Sequence, residues 1–209
     1  MKSINHRFDM GAIYSKDSTC FRVFAPYADK VYLRLYEKGS GDCLIEELQM
    51  SLNEELEYEG IWQIIVEGNL NNTYYTYRIC SLGSQDEAFD PYATACGVNG
   101  VRSMVIDLDS TNPEGFLQDK GPKVESITDI IVTEISIADT TGDKSCNARY
   151  PGKYLGLTEL GLLSPGKKNT GLSYIKELGV THVQLMPSFD FASIDESRLE
   201  EDQDRKSVV

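Results

Sequence analysis

From Thr19 to Cys80 short apolar runs recur between turn signals, which is the pattern of an antiparallel β-sandwich. The runs are Thr19 to Ala25, Lys30 to Tyr36, Cys43 to Met50, Ile61 to Val66 and Tyr74 to Cys80. In the second, Val31, Leu33 and Leu35 alternate with Tyr32, Arg34 and Tyr36. Successive side chains of a strand point to opposite faces, so this run buries one face and wets the other. The fourth offers Trp62, Ile64 and Val66 on one face, and the fifth offers Tyr75, Tyr77 and Ile79, enough large apolar surface to close a core.

The stretch from Phe89 to Phe116, FDPYATACGVNGVRSMVIDLDSTNPEGF, sets an apolar strand, Met104 to Leu108, between turn-rich flanks. Asp90-Pro91 and Asn112-Pro113 start turns because proline fixes φ, and Asn99-Gly100 suits a hairpin turn that needs φ > 0. Beyond Phe116 the pattern changes. Ile127 to Ile137 is a continuous apolar run, as in a strand covered on both faces of a parallel sheet. After a long loop, Leu172, Ile175 and Leu178 fall at helical spacing with Gly179 placed to end the helix, and Val180 to Met186 reads as a second buried strand. Strand, helix and strand make one βαβ unit with its strands parallel.

These blocks resemble type I pullulanases. The resemblance rests on Asp90-Pro91-Tyr92-Ala93, Gly97-Val98-Asn99-Gly100, the strand ending in Asp107-Leu108, and Ser110 to Phe116. It extends to CFRVFAPYADKVYLRLYEKG and EGIWQIIVEGNLNNTYYTYRI in the first half. In the second half it covers Gly152 to Glu159, Gly171 to Pro187 and Phe189-Asp190-Phe191. It implies a mainly β chain: an immunoglobulin-like, early-set carbohydrate-binding sandwich over residues 1–118, then a truncated (β/α)8-barrel start over 119–209. At the first barrel strand the family has Tyr-Glu-aliphatic-His-aliphatic-Arg-Asp-Phe. This chain has Thr133-Glu134-Ile135-Ser136-Ile137-Ala138-Asp139-Thr140, and its tail, LEEDQDRKSVV, departs from the family's Asn-Trp-Gly-Tyr-Asp-Pro continuation.

Glycoside hydrolysis needs two carboxyl groups flanking the scissile bond. The resemblance implies that the family carries its catalytic acids on the middle and later barrel strands, past the two strands in this sequence, so no catalytic residue is assigned. Asp139 and Asp190 fall near the ends of those two strands and are candidates to line a substrate, although hydrogen bonding to loop amides is the commoner role there. On the sandwich, Tyr32, Tyr36, Tyr74 and Phe89 are conceivable sugar platforms and Tyr92 a further candidate, against the usual fate of strand tyrosines in packing. Glycogen-binding relatives carry a tryptophan just ahead of the Asp-Pro, where this chain has Glu87-Ala88-Phe89, and Trp62 is expected in the core. His182, within an apolar strand, is expected as a core histidine. Neither Gly-x-Ser-x-Gly nor a phosphate loop is present, and no cofactor is expected.

The net charge of −13 argues against nucleic acid and anionic membranes as partners and suits a neutral α-glucan, bound weakly if at all. Glu46, Glu47, Glu54, Glu55, Glu57 and Glu59 read as a solvated acidic connection, since they lack the spacing of a calcium loop. Five widely spaced cysteines without a Cys-x-x-Cys pair read as free thiols and no metal. With no export segment at the start, the cytoplasm is the expected location, and Asn71-Asn72-Thr73 is a turn rather than a glycan site. The expected function is that of a truncated relative of α-1,6-glucan debranching enzymes. The alternative is a non-catalytic α-glucan-binding or protein-interaction module. A barrel of two strands leaves Ile130, Ile131, Ile135, Ile137, Val183, Leu185 and Met186 partly uncovered, with self-association as one outcome.

Overall fold

The computed structural model describes residues 9–52, 60–186, 188 and 195–198. The chain divides into two compact units, residues 1–117 and 118–209.

In the first unit the strands are β1 (Gly11–Tyr14), β2 (Ser18–Phe24), β3 (Lys30–Tyr36), β4 (Leu44–Gln49), β5 (Ser51–Leu52), β6 (Ile61–Glu67), β7 (Tyr74–Ser81), β8 (Ser84–Ala88) and β9 (Ser103–Met104). They form two sheets, ordered β1-β2-β6-β5 and β4-β3-β7-β8, with β9 also against β7. All these pairings are antiparallel. The alternation of β3 is realised: Val31, Leu33 and Leu35 are buried with Tyr75 and Tyr77 beside them on β7, and share one core with Phe21 and Val23 of β2 and Trp62 of β6. Phe21 and Tyr75 meet edge to face at 5.0 Å, as do Tyr75 and Tyr77 at 5.7 Å. Each fully buried side chain of this size contributes roughly 1.5–3 kcal/mol, so the interleaved faces supply the driving force for the sandwich. Trp62 lies in the core as expected and donates its Nε1 hydrogen to the Ala25 carbonyl at 3.0 Å.

One polar group sits among these apolar ones. Asp90 is only 2 % exposed. Its Oδ2 accepts from the Tyr75 hydroxyl at 2.8 Å and the Tyr77 hydroxyl at 3.2 Å, and its Oδ1 accepts from the Tyr92 amide at 2.8 Å. Burial first, and then the charge of Asp90, push both tyrosine hydroxyls well above their ordinary titration range, so they remain donors. The Asp90-Pro91 turn is therefore an Asx turn whose side chain also ties down two core tyrosines.

Several boundaries differ from the sequence expectation. The strand expected over Met104 to Leu108 pairs as a strand only at Ser103–Met104, because Asp107 accepts from the Asp109 amide and turns the chain into a 3-10 helix, Leu108–Thr111. Asn99 and Gly100 both take positive φ, 55° and 65°, as the hairpin reading requires. The flanking segments pair through Gly97 N–H to Arg102 O and Met104 N–H to Ala95 O, each 2.8 Å. The Asn71-Asn72-Thr73 stretch is a turn. Glu46 is exposed and Glu47 is ion-paired, while Glu54, Glu55, Glu57 and Glu59 lie outside the described residues.

In the second unit β10 (Val132–Ile135) and β11 (His182–Leu185) form the expected parallel pair, in register from Val132 opposite His182 to Ile135 opposite Leu185. Between them lie α1 (Ile137–Thr141), α2 (Tyr154–Leu157) and α3 (Gly171–Glu177), so the expected long loop carries a short helix. The run Ile127 to Ile137 is not one strand. Ser126 caps a 3-10 turn at Ile127–Asp129 and Ser136 caps α1, and each cap draws the backbone out of extended conformation. Nor is it covered on both faces, for Val132 is 55 % exposed. Ile130, Ile131, Val183, Leu185 and Met186 are exposed too, whereas Ile137 turns inward as the first residue of α1 and is buried. His182 is exposed rather than a core histidine, because β11 is open along its length, and its Nδ1 lies 2.9 Å from the Thr181 hydroxyl.

Replacing Asp90 by Ala leaves two buried hydroxyls and an amide without their acceptor. Urea unfolding should show a loss of about 2–4 kcal/mol in the first unit, with Asp90→Asn falling between it and the parent.

Candidate carbohydrate-binding cleft

The face of sheet β4-β3-β7-β8 that points away from the core carries the side chains that the alternation leaves over. Register sets Arg34 of β3 opposite Glu47 of β4 and Thr76 of β7, and Arg78 of β7 opposite Tyr32 of β3 and Glu87 of β8. Opposite charges then pair across the face, some reaching over an intervening strand: Arg34 of β3 to Glu87 of β8, and Arg78 of β7 to Glu47 of β4. Arg34 bonds to Glu87 and lies 3.4 Å from Glu47, while Arg78 bonds to both oxygens of Glu47 and donates to Gln85 at 2.9 Å. The Arg78 guanidinium also covers the Tyr32 ring, 4.2 Å from its centroid.

At one end of this face is a cleft of about 450 Å³ bounded by Arg34, Tyr36, Thr76, Glu87, Phe89 and Arg102, with Asp42, Leu44, Ala88 and Val101 completing it. Its buried polar groups are already joined. Glu87 Oε1 accepts from the Tyr36 hydroxyl and, at 2.6 Å, from the Thr76 hydroxyl. Burial works against ionising Glu87, but the hydrogen bonds from Thr76 and Tyr36 and the Arg34 guanidinium outweigh it, and its carboxyl titrates below the usual range. Burial, and then the bond to Glu87, push the Tyr36 hydroxyl up. Three apolar side chains remain exposed around this polar set: Phe89, 61 % exposed, with Val101 and Leu44. An apolar ring beside fixed hydrogen-bonding groups is the chemistry a pyranose requires, with its C–H faces ringed by hydroxyls.

Of the sequence candidates, the structure places Phe89 on this cleft. Tyr36 is there as well, but buried, with only its hydroxyl in play. Tyr32 lies under Arg78, and Tyr74 sets its ring edge beside Gly39 and Gly97; neither is among the residues bounding the cleft. Tyr92 is exposed but is not among the residues bounding the cleft. Asp139 belongs to the second unit, in the first turn of α1, where its amide donates to the Ser136 hydroxyl at 3.3 Å. Asp190 lies outside the described residues. Sequence reasoning missed Arg34, Thr76, Glu87 and Arg102. The outward positions of β3 and β7 signal the first two, whereas Glu87 required knowing that the charged run SQDEA forms an edge strand. Among the described residues no group of three or more His, Cys, Asp or Glu is placed to hold a metal, and no helix is long and apolar enough to cross a membrane.

Residues 9–93 match the family described as carbohydrate-binding module 48, the isoamylase N-terminal domain. The match lies within the first unit. The chain is 33 % identical over 191 residues to the pullulanase of Bacillus subtilis (strain 168), a match that covers 91 % of this chain and 25 % of that protein. It also superposes on the pullulanase of Paenibacillus barengoltzii, solved in complex with maltohexaose and alpha-cyclodextrin, with a TM-score of 0.82 and 41 % identity over 92 % of this chain and 29 % of that one. The pullulanase of Anoxybacillus sp. LM18-11 complexed with maltotetraose matches with a TM-score of 0.76 and 39 % identity over 90 % of this chain and 26 % of that one. The chain thus carries a module-48 match and resembles pullulanases over a segment that spans about a quarter of the length of the Bacillus relative.

Because its folded-state value is lowered, Glu87 contributes stability that is present above its ordinary value of 4.5 and lost as the pH falls through the lower one. Glu87→Gln should therefore lower the unfolding midpoint near neutral pH, and the gap to the parent should close by about pH 3 in parallel urea titrations.

Proposed function

We propose that this chain is the glucan-binding front part of a pullulanase-type debranching protein and that α-glucan docks in the Phe89 cleft. The observation that carries the reading is the exposed Phe89 ring beside the joined Arg34, Tyr36, Thr76 and Glu87 groups, on a module of a carbohydrate-binding family. The relatives solved with maltooligosaccharides support an α-glucan as the ligand class. With one exposed aromatic ring and a cleft whose charges already satisfy one another, affinity is low, with a dissociation constant on the order of 1 mM or poorer. Electrophoresis through gels containing pullulan or glycogen should show slight retardation of the 209-residue chain, abolished in Phe89→Ala.

We further propose that β10, the helices and β11 are the opening βαβ unit of a (β/α)8 barrel. The parallel pair and its exposed apolar side chains support this, since barrel strands are covered on both faces by the rest of the barrel. In isolation the same surface is the candidate for self-association. The catalytic carboxylates of such an enzyme are proposed to lie on strands other than these two, so the 209 residues alone should release no reducing sugar from pullulan above a protein-free blank. Release above the blank would place an acid pair within this chain.

A further inference from the structure

The cleft is walled on one side by the segment joining β3 to β4, residues 37–43, and on the other by the hairpin of residues 95–104. The first of these, EKGSGDC, is a series of bends closed at its base by a backbone bond, Glu37 N–H to Cys43 O at 3.0 Å. Within the segment the Cys43 thiol lies 3.5 Å from the Lys38 and Ser40 carbonyls and 3.7 Å from that of Gly41. Stronger contacts come from across the cleft. Arg102 Nη1 donates to the Lys38 carbonyl at 2.7 Å and Nη2 to the Gly41 carbonyl at 2.6 Å. The guanidinium plane meanwhile lies over Tyr36, 3.6 Å from the ring centroid, and Nη1 is 3.1 Å from the Cys43 sulfur. Below it the two segments touch backbone to backbone. A Cβ at Gly97 would stand 2.6 Å from the Gly39 Cα, and one at Gly39 would stand 2.9 Å from the Gly97 Cα.

Resting on the glucan-binding reading, we infer that Arg102 is the positioning residue of the cleft: it clasps the 37–43 segment and so holds Asp42 where a sugar meets it. Two carbonyls at different angles and an aromatic face are met at once by a planar fork of donors, which a lysine ammonium cannot reproduce. A binding segment ordered before the ligand arrives adds its ordering cost to folding rather than to binding, so the clasp acts on affinity without touching the ligand. Arg102 and the Tyr36 ring beneath it lie outside the cluster of buried side chains between the two sheets, so the stability of that core and the order of the cleft are separable.

The test uses the full chain with Arg102→Ala, Arg102→Lys and Phe89→Ala, read by amide hydrogen exchange and by retardation in glycogen gels. In Arg102→Ala, exchange should rise across residues 37–43 while β3 and β7 keep their protection, and glycogen affinity should fall about tenfold. Arg102→Lys should sit between it and the parent, and Phe89→Ala should lose retardation with exchange at 37–43 unchanged. Unchanged exchange at 37–43 in Arg102→Ala overturns the clasp. Faster exchange with undiminished retardation overturns the positioning role while leaving glucan binding intact. A parent chain with equal mobility in gels with and without glycogen overturns the glucan reading and the positioning role together, and the exchange data then describe a local clasp alone.

Discussion

The cleft side of the sandwich hangs from the buried carboxylate of Asp90. A polar group in an apolar core is tolerated only when its hydrogen-bonding capacity is met, and here two tyrosine hydroxyls and the Tyr92 amide meet it. The Asp90 amide in turn donates to the hydroxyl of Ser103, itself buried, at 2.8 Å. Phe89 immediately precedes Asp90, and Arg102 immediately precedes Ser103. The two groups that shape the cleft, exposed Phe89 and half-buried Arg102, are thus each one residue from an anchor in the core, which converts a loop and a hairpin into a site of fixed geometry.

The polar ladder across β4, β3, β7 and β8 plays a different part. Its charged side chains are partly exposed, and pairs of that kind contribute little to stability because water and salt screen them. Their effect is on orientation. Arg34 and Arg78 each reach over an intervening strand to a carboxylate, and Glu87 faces the cleft with Thr76 and Tyr36 already bonded to it. A negative chain still presents a locally balanced surface to a neutral ligand there.

Where burial follows a simple period, the sequence was readable. β3 runs from Lys30 to Tyr36, as its alternation predicts, and Asn99-Gly100 marks a turn that needs positive φ. β8 was invisible because SQDEA is an edge strand whose exposed side chains carry no apolar signal. In Ile127 to Ile137 apolar content suggested a single strand, but the capping hydroxyls of Ser126 and Ser136 cut it into three pieces. The Phe89 position stood out only as a departure from a tryptophan, and the groups around it come from β3, β7, β8 and the hairpin, a convergence that only pairing and register reveal. The same holds for Asp90, which reads as an ordinary turn residue until its burial is known.

The backbone contact of Gly39 with Gly97 has a consequence for how such a module can diverge. Connections between strands ordinarily absorb insertions and deletions because they run free over the surface. These two lean on each other at a point where neither has room for even a methyl group, with the Tyr74 ring edge beneath both. A residue added to one connection shifts its glycine along the other and strikes a neighbour that has no smaller side chain to retreat to. The lengths of the two connections are therefore locked together, and they can change only as a pair.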